Sequence, residues 1–255
     1  IVAGRYRLGN KLGEGAMGSV FSAEHLTLGS RVALKFVKVQ VLTESESHVR
    51  FVREARLSAK LGESSRHITK VFDYGVLPNG TPYIAMELLS GESLADRLRR
   101  ERQLPLPLVE HIVVQLCRAL EVAHAADIVH RDLKPANVYL QESRDDPFGL
   151  AVKLLDFGVA KNLGAKGQDQ DATVEGMLFG TPKYMSPEHF DSAFNPRVRL
   201  DQRADLWSCA AIAYRMLVGD VPFRGESLTE TMRLIAAETF IPVSDRQPTV
   251  PRGLD

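Results

Sequence analysis

The sequence predicts an α+β chain in two lobes: a small β-rich lobe with one helix up to about residue 86, then a larger, mainly helical lobe. Three observations predict it. Residues 5–84 read as strands interrupted by one helical stretch. Residues 94–126 and 203–237 carry apolar side chains at helical spacing. Between these helices, residues 128–185 are short apolar runs broken by charged strings, the pattern of small strands that present loops.

Each element has its own signal. Arg31 to Val39 alternates, with Val32, Leu34 and Phe36 on one face and Ala33, Lys35 and Val37 on the other; Leu28-Gly29-Ser30 supplies the turn before it. From about Ser45 to Leu61, the residues Phe51, Glu54, Ala55, Ser58 and Leu61 fall on one helical face. Val109, Ile112, Val113, Leu116 and Leu120 repeat at the spacing of a buried helix, and Pro105 and Pro107 stand where a helix start tolerates proline. Trp207 to Val218 is the longest apolar stretch. Ser208 and Arg215 interrupt it, and it is shorter than the ~20 residues a membrane span takes, so it reads as a buried helix. Gly164 to Gly176 is poor in apolar residues and is the expected mobile loop. No internal repeat is visible.

The chain has 255 residues and is 44% hydrophobic, enough for a large core or two lobes sharing a cleft. Its 32 basic and 32 acidic residues cancel, so charge gives no reason to expect a nucleic-acid partner or contact with an anionic membrane. Cys117 and Cys209 lie far apart in apolar segments and have no metal-binding spacing; they read as reduced core thiols of a cytoplasmic protein. The chain opens at Ile1 with no secretory signal, and we expect a piece of something longer.

Three strings carry chemistry: Gly13-Glu14-Gly15-Ala16-Met17-Gly18, then His130-Arg131-Asp132-Leu133-Lys134-Pro135-Ala136-Asn137, then Asp156-Phe157-Gly158. The glycines alone are a weak signal, shared with dinucleotide-binding turns and plain hairpins. The strand-like Ser19-Val20-Phe21 that follows fits a glycine flap over phosphates better than a turn opening a helix. Lys35 sits in a strand that reads as buried on both faces, where a surface lysine is out of place. A carboxylate on the packed face of a helix needs a cation, and Lys35 is the partner expected for Glu54.

In that order these strings resemble the eukaryotic-type Ser/Thr protein kinases, and within them the bacterial branch. The resemblance covers residues 5 to about 240. It implies the two-lobed protein kinase fold: N-lobe about 5–86, hinge about 87–91, and C-lobe about 92–255, the last helices of which we expect to be missing. It implies ATP and Mg²⁺, with Mn²⁺ as a substitute, and transfer of the γ-phosphate to Ser or Thr hydroxyls of protein substrates.

The resemblance assigns roles to residues. Asp132 would orient the hydroxyl and take its proton, Lys134 would neutralise the γ-phosphate, and Lys35, held by Glu54, would take the α- and β-phosphates. Leu12, Gly13, Glu14, Gly15, Gly18, Val20, Ala33, Met86, Glu87, Leu89 and Tyr139 would surround the nucleotide, with Met86 at the back of the pocket and backbone groups of Glu87 and Leu89 on the adenine edge. Asn137 and Asp156 would hold the metal, since Mg²⁺ prefers hard oxygen ligands. Arg131 before the catalytic Asp implies control by phosphorylation of the segment Asp156–Glu188, with Thr173 the expected acceptor; Thr181 would shape the substrate-docking loop. The resemblance also raises a homodimer for trans-autophosphorylation, and a cytoplasmic domain of a longer, membrane-anchored protein.

Some positions depart from the family. Tyr139 stands where an aliphatic residue is usual, and its hydroxyl needs a partner. Gln141–Leu150 is a longer, more acidic hairpin than usual, read as a surface insertion. Ser186-Pro187-Glu188 replaces Ala-Pro-Glu, and we expect the arginine that Glu188 normally meets in the family to be missing with the last helices, leaving Glu188 solvated, met by another arginine, or a source of instability. Asp205-Leu206-Trp207-Ser208 opens a central helix, with Asp205 expected to brace the catalytic loop. The alternatives are a nucleotide-binding pseudokinase or scaffold, and an inactive truncated fragment.

Overall fold

The computed structural model describes residues 1–15, 18–38, 45–157, 182–195 and 197–254, with the backbone alone at 45–50, 193 and 194. The described residues fall into two compact units, Ile1–Ser90 with residues 156–157, and Gly91–Leu155 with residues 182–254.

The first unit is a five-stranded antiparallel sheet: β1 (Tyr6–Gly15), β2 (Gly18–His25), β3 (Arg31–Val37), β4 (Val71–Val76) and β5 (Pro82–Glu87), in the order β1-β2-β3-β5-β4. One helix, α1 (Ser45–Ser64), belongs to it. The alternation read over residues 31–37 is the one built. Val32 and Leu34 join Tyr6, Ala23, Tyr83 and Ala85 in a core on one face. On the other face, Val37 and Ile84 pack against Phe51 of α1. Phe51 is fully buried, and truncating such a side chain to Ala costs about 3–5 kcal/mol. Gly18 is required by packing: at φ 149° a Cβ would stand 1.9 Å from the Phe36 carbonyl oxygen of β3.

The second unit begins with β6 (Gly91–Ser93), which pairs with β7 (Val138–Glu142) and β8 (Leu150–Leu154) in a small sheet. The helical stretch 94–126 is two helices, α2 (Leu94–Glu101) and α3 (Leu106–Ala125). Ser93 caps the first through its side chain. Arg102 then takes φ 60°, and Pro105 serves as the cap of the second. The stretch 203–237 likewise divides. After α4 (Pro187–Phe194) come α5 (Gln202–Val218), capped by Asp201 and ended by left-handed Gly219, then α6 (Leu228–Ala236) and the short α7 (Val243–Arg246). A cluster of Met185, Phe190, Phe223 and Ile235, with Trp207 stacked on Phe223, ties α4, α5 and α6 together. No helix among the described residues is long and apolar enough to cross a membrane.

The insertion Gln141–Leu150 is anchored rather than loose. Asp146 Oδ1 accepts from Phe148 N and Leu150 N, and its Oδ2 lies 2.9 Å from His111 Nε2 on α3. The His111 ring also packs on Phe148.

Candidate active site

In the first unit, the register places Lys35 of β3 beside Val20 of β2 and Ile84 of β5, on the face that carries α1. The residue is 7% exposed, and Nζ pairs with Asp156 Oδ1 at 2.6 Å. The Asp156 backbone is left-handed, φ 54°, an uncommon setting for a residue with a Cβ. Glu54 is half-buried on α1, one turn from Phe51 and beside the buried Ala55 and Ser58. Ala33 is buried one step along β3, opposite Ser22 and Met86, and Met86 and Leu89 are half-buried. Glu87 Oε1 accepts from Lys70 N. Leu12 is exposed, and Glu14 is ion-paired with Lys11, which holds its carboxyl below the usual range.

Gly13 and Gly15 differ from Gly18. An added Cβ at either meets no atom within 4 Å. Packing within the chain does not require glycine there, whereas close approach of a phosphate to the backbone N–H groups does.

In the second unit, Asp132, Lys134 and Asn137 form one cluster. Lys134 Nζ donates to Asp132 Oδ2 at 2.8 Å. Asn137 Nδ2 donates to the Asp132 carbonyl at 2.8 Å and to its Oδ2 at 3.3 Å. Two acceptors fix the amide's orientation, so Oδ1 is the atom turned elsewhere, a hard oxygen suited to a divalent ion. Asp132 and Asn137 are each 8% exposed. Pro135–Asn137 is a 3₁₀ turn, which puts Asn137 N on the Lys134 carbonyl and brings the amide back over residue 132. The Asn137 carbonyl accepts from Leu155 N, the residue before Asp156. Tyr139 donates its hydroxyl to the Gly91 carbonyl at 2.8 Å, which supplies the partner it needs. Burial, then the carboxylates of Glu142, Asp96 and Glu92, push its pKa up.

The backbone of this loop hangs on Asp205, which is fully buried. Its Oδ2 accepts from His130 N at 2.8 Å and its Oδ1 from Arg131 N at 3.0 Å. Arg131 is held at φ 63°. His124, from the end of α3, meets the same Oδ2 at 2.8 Å. His130 is itself fully buried and hydrogen-bonds the Leu155 carbonyl through Nε2.

Sequence reasoning missed His124 and His189. His189 Nδ1 accepts from Ser186 N at 3.1 Å, so its Nε2 carries the proton that it donates to the Arg131 carbonyl at 3.3 Å. It thereby ties the Ser186-Pro187-Glu188 turn to the loop. Its position three residues after a serine helix cap was the available signal. Glu188 keeps one buried oxygen, Oε2, without a hydrogen-bond partner among the described residues, and Arg203 lies within its electrostatic reach. Thr173 and Thr181 lie outside the described residues.

The cysteine reading needs correction. Cys117 is exposed rather than a core thiol, and it hydrogen-bonds Cys209. The two are adjacent because α3 packs on α5.

A protein kinase domain model matches residues 6–252. The chain belongs to the protein kinase family. It is 36% identical over 247 residues to serine/threonine-protein kinase pkn3 of Myxococcus xanthus, covering 97% of this chain and 44% of that protein. It is 39% identical over 231 residues to serine/threonine-protein kinase A of Synechocystis sp., covering 87% and 42%. It is 33% identical over 254 residues to PknB of Mycolicibacterium smegmatis, covering 98% and 38%. The chain therefore spans less than half the length of these relatives. Within the family it falls among the eukaryotic-type Ser/Thr kinases of the bacterial branch. The family uses ATP and a divalent metal and acts on proteins.

Proposed function

We propose that this chain is the catalytic domain of a Ser/Thr protein kinase, transferring the γ-phosphate of ATP–Mg²⁺ to protein hydroxyls. The observation that carries the reading is the Asp132 cluster: a nearly buried carboxylate bonded by Lys134 and Asn137, on a backbone fixed by Asp205. Asp132 orients the Ser or Thr hydroxyl and accepts its proton as the oxygen bonds to phosphorus and ADP departs. Lys134 offsets charge on the γ-phosphoryl group, and Lys35, with Glu54 as a second carboxylate partner, takes the α- and β-phosphates. The metal supplies charge neutralisation, and Asn137 Oδ1 and the Asp156 carboxylate are the oxygens that would hold it; Mn²⁺ suits the same pair. Gly13, Gly15 and Gly18 cover the phosphates. Leu12, Glu14, Val20, Ala33, Met86, Glu87, Leu89 and Tyr139 surround the rest of the nucleotide.

We further assign regulation to Thr173. A phosphate there adds about −1.5 to −2 charges, and Arg131 is the cation next to the catalytic Asp. Thr181 serves the substrate-docking loop. Modification by a second copy makes a homodimer the expected partner, and the need for ATP places the domain in the cytoplasm.

The test is labelled ATP–Mg²⁺ with the parent, Asp132→Ala and Asp156→Ala. Transfer by the parent that falls at least ~10²-fold in both variants supports the enzyme. Nucleotide binding by a parent that never transfers supports the pseudokinase or an inactive fragment. Phosphosite mapping of an active sample with Thr173 unmodified removes the regulatory assignment.

A further inference from the structure

The helices that hold the catalytic loop also bring together two thiols that phosphotransfer does not use. α3 and α5 run antiparallel. Ahead of α3, Leu104 N donates to the Met216 carbonyl at 2.8 Å, and Arg215 donates to the Arg102 carbonyl at 2.8 Å. At the far end of α3, His124 meets Asp205. Cys117 on α3 and Cys209 on α5 fall between these ties, and their thiols hydrogen-bond each other.

The pair is asymmetric. Cys117 is exposed, while Cys209 is 5% exposed. The hydrogen bond that Cys209 donates lowers the Cys117 thiol below its ordinary value of 9. The same bond, then burial, then the Cys117 sulfur and the Asp205 charge push Cys209 up. An accessible sulfur with thiolate character beside a protonated thiol is the arrangement of an attacking cysteine and its resolving partner.

We propose that Cys117 and Cys209 are a redox modification site, closing a reversible disulfide between α3 and α5 when the chain meets a hydroperoxide. The Cys117 sulfur attacks one peroxide oxygen. An S–O bond forms, the O–O bond breaks, and the departing hydroxide takes up a proton as water. The Cys209 sulfur then attacks the resulting sulfenic sulfur. The S–S bond forms, the S–O bond breaks, and the hydroxyl leaves with the Cys209 proton as a second water. Two electrons pass from the thiols to the peroxide, and an external dithiol reverses the change by exchange. The bond would join the helices one turn from Asp205, clamping the element that fixes His130 and Arg131. This goes beyond the phosphotransfer reading and stands without it.

The test treats the whole chain with hydrogen peroxide free of thiol, then unfolds it in alkylating reagent for mass analysis. The expected product is a monomer lighter by two hydrogens, labelled at neither cysteine, with one cross-linked peptide pair joining 117 to 209. Dithiothreitol should restore both labels, and the melting temperature should be higher before reduction than after it. In Cys209→Ser, Cys117 should stop at the sulfenic acid and be trapped by dimedone. In Cys117→Ser, Cys209 should react roughly tenfold more slowly or less. A treated parent whose Cys209 still alkylates while Cys117 carries a sulfinic or sulfonic acid would overturn the proposal. So would a chain-to-chain dimer through Cys117.

Discussion

Replacing Asp205 with asparagine changes one atom at the point from which the loop carrying Asp132 is hung. The carboxylate serves three donors: His130 N and His124 Nε2 on Oδ2, and Arg131 N on Oδ1. Asparagine has one oxygen. Whichever way it turns, its NH₂ faces a buried N–H. A hydrogen bond to a charged group is worth about 1.5–3 kcal/mol, and a buried orphan donor costs about 1–3. Arg131, held at φ 63°, also loses a tether against a backbone preference of roughly 1–2 kcal/mol. A loss of about 3 kcal/mol is expected, a large part of the ~5–15 kcal/mol of a typical domain. That is a fall of roughly 6–12 °C in melting temperature for a chain of this size. Thermal unfolding of parent and Asp205→Asn measures it, and labelled-ATP transfer by the folded fraction reports whether Asp132 is still in place. His124→Phe removes one donor without touching the backbone bonds, so its loss should be nearer about 1 kcal/mol. An Asp205→Asn chain melting within a degree or two of the parent, with undiminished transfer, would refute the claim that Asp205 fixes the loop.

Other outcomes follow from single contacts. Gly18→Ala drives a Cβ to 1.9 Å from the Phe36 oxygen and should destabilise the first unit by more than about 2 kcal/mol in urea unfolding, whereas Gly13→Ala, which meets nothing, should leave stability unchanged and raise the KM for ATP. Gly91→Ala, at φ 134° and 2.1 Å from the Leu140 oxygen, should loosen the small sheet and unlatch Tyr139, read as a lowered melting temperature. Tyr6, buried and donating to Asp73 at 2.9 Å, has its pKa raised well above 10, by burial first and the Asp73 carboxylate second. Folding therefore favours the neutral phenol. Its contribution is full below pH 10 and is lost as pH climbs beyond it, so the stability gap between parent and Tyr6→Phe should hold steady from pH 7 to 9 and close above 10. A gap that widens in alkali would contradict the sign.

What the chain alone determined was local. The alternation of residues 31–37, the helical face around Phe51 and the three charged strings are short-range patterns, since side-chain direction follows from a period of 2 or 3.6 residues. They were sufficient for the α+β class, the family, and the candidacy of Lys35, Asp132, Asn137 and Asp156. Asp205 is legible as a brace only through the string Asp205-Leu206-Trp207-Ser208 in which it stands. Its contact with His124, 81 residues away, and that of His189 with Arg131, 58 residues away, carry no periodic signature. Those partnerships exist because α3 packs antiparallel to α5 and α4 turns back over the loop, and the chain is driven there by burial of apolar faces rather than by the polar residues that meet as a result. The two cysteines make the same point: 92 positions separate 117 from 209, and only helix packing decided that one would be exposed, the other buried, and both in contact.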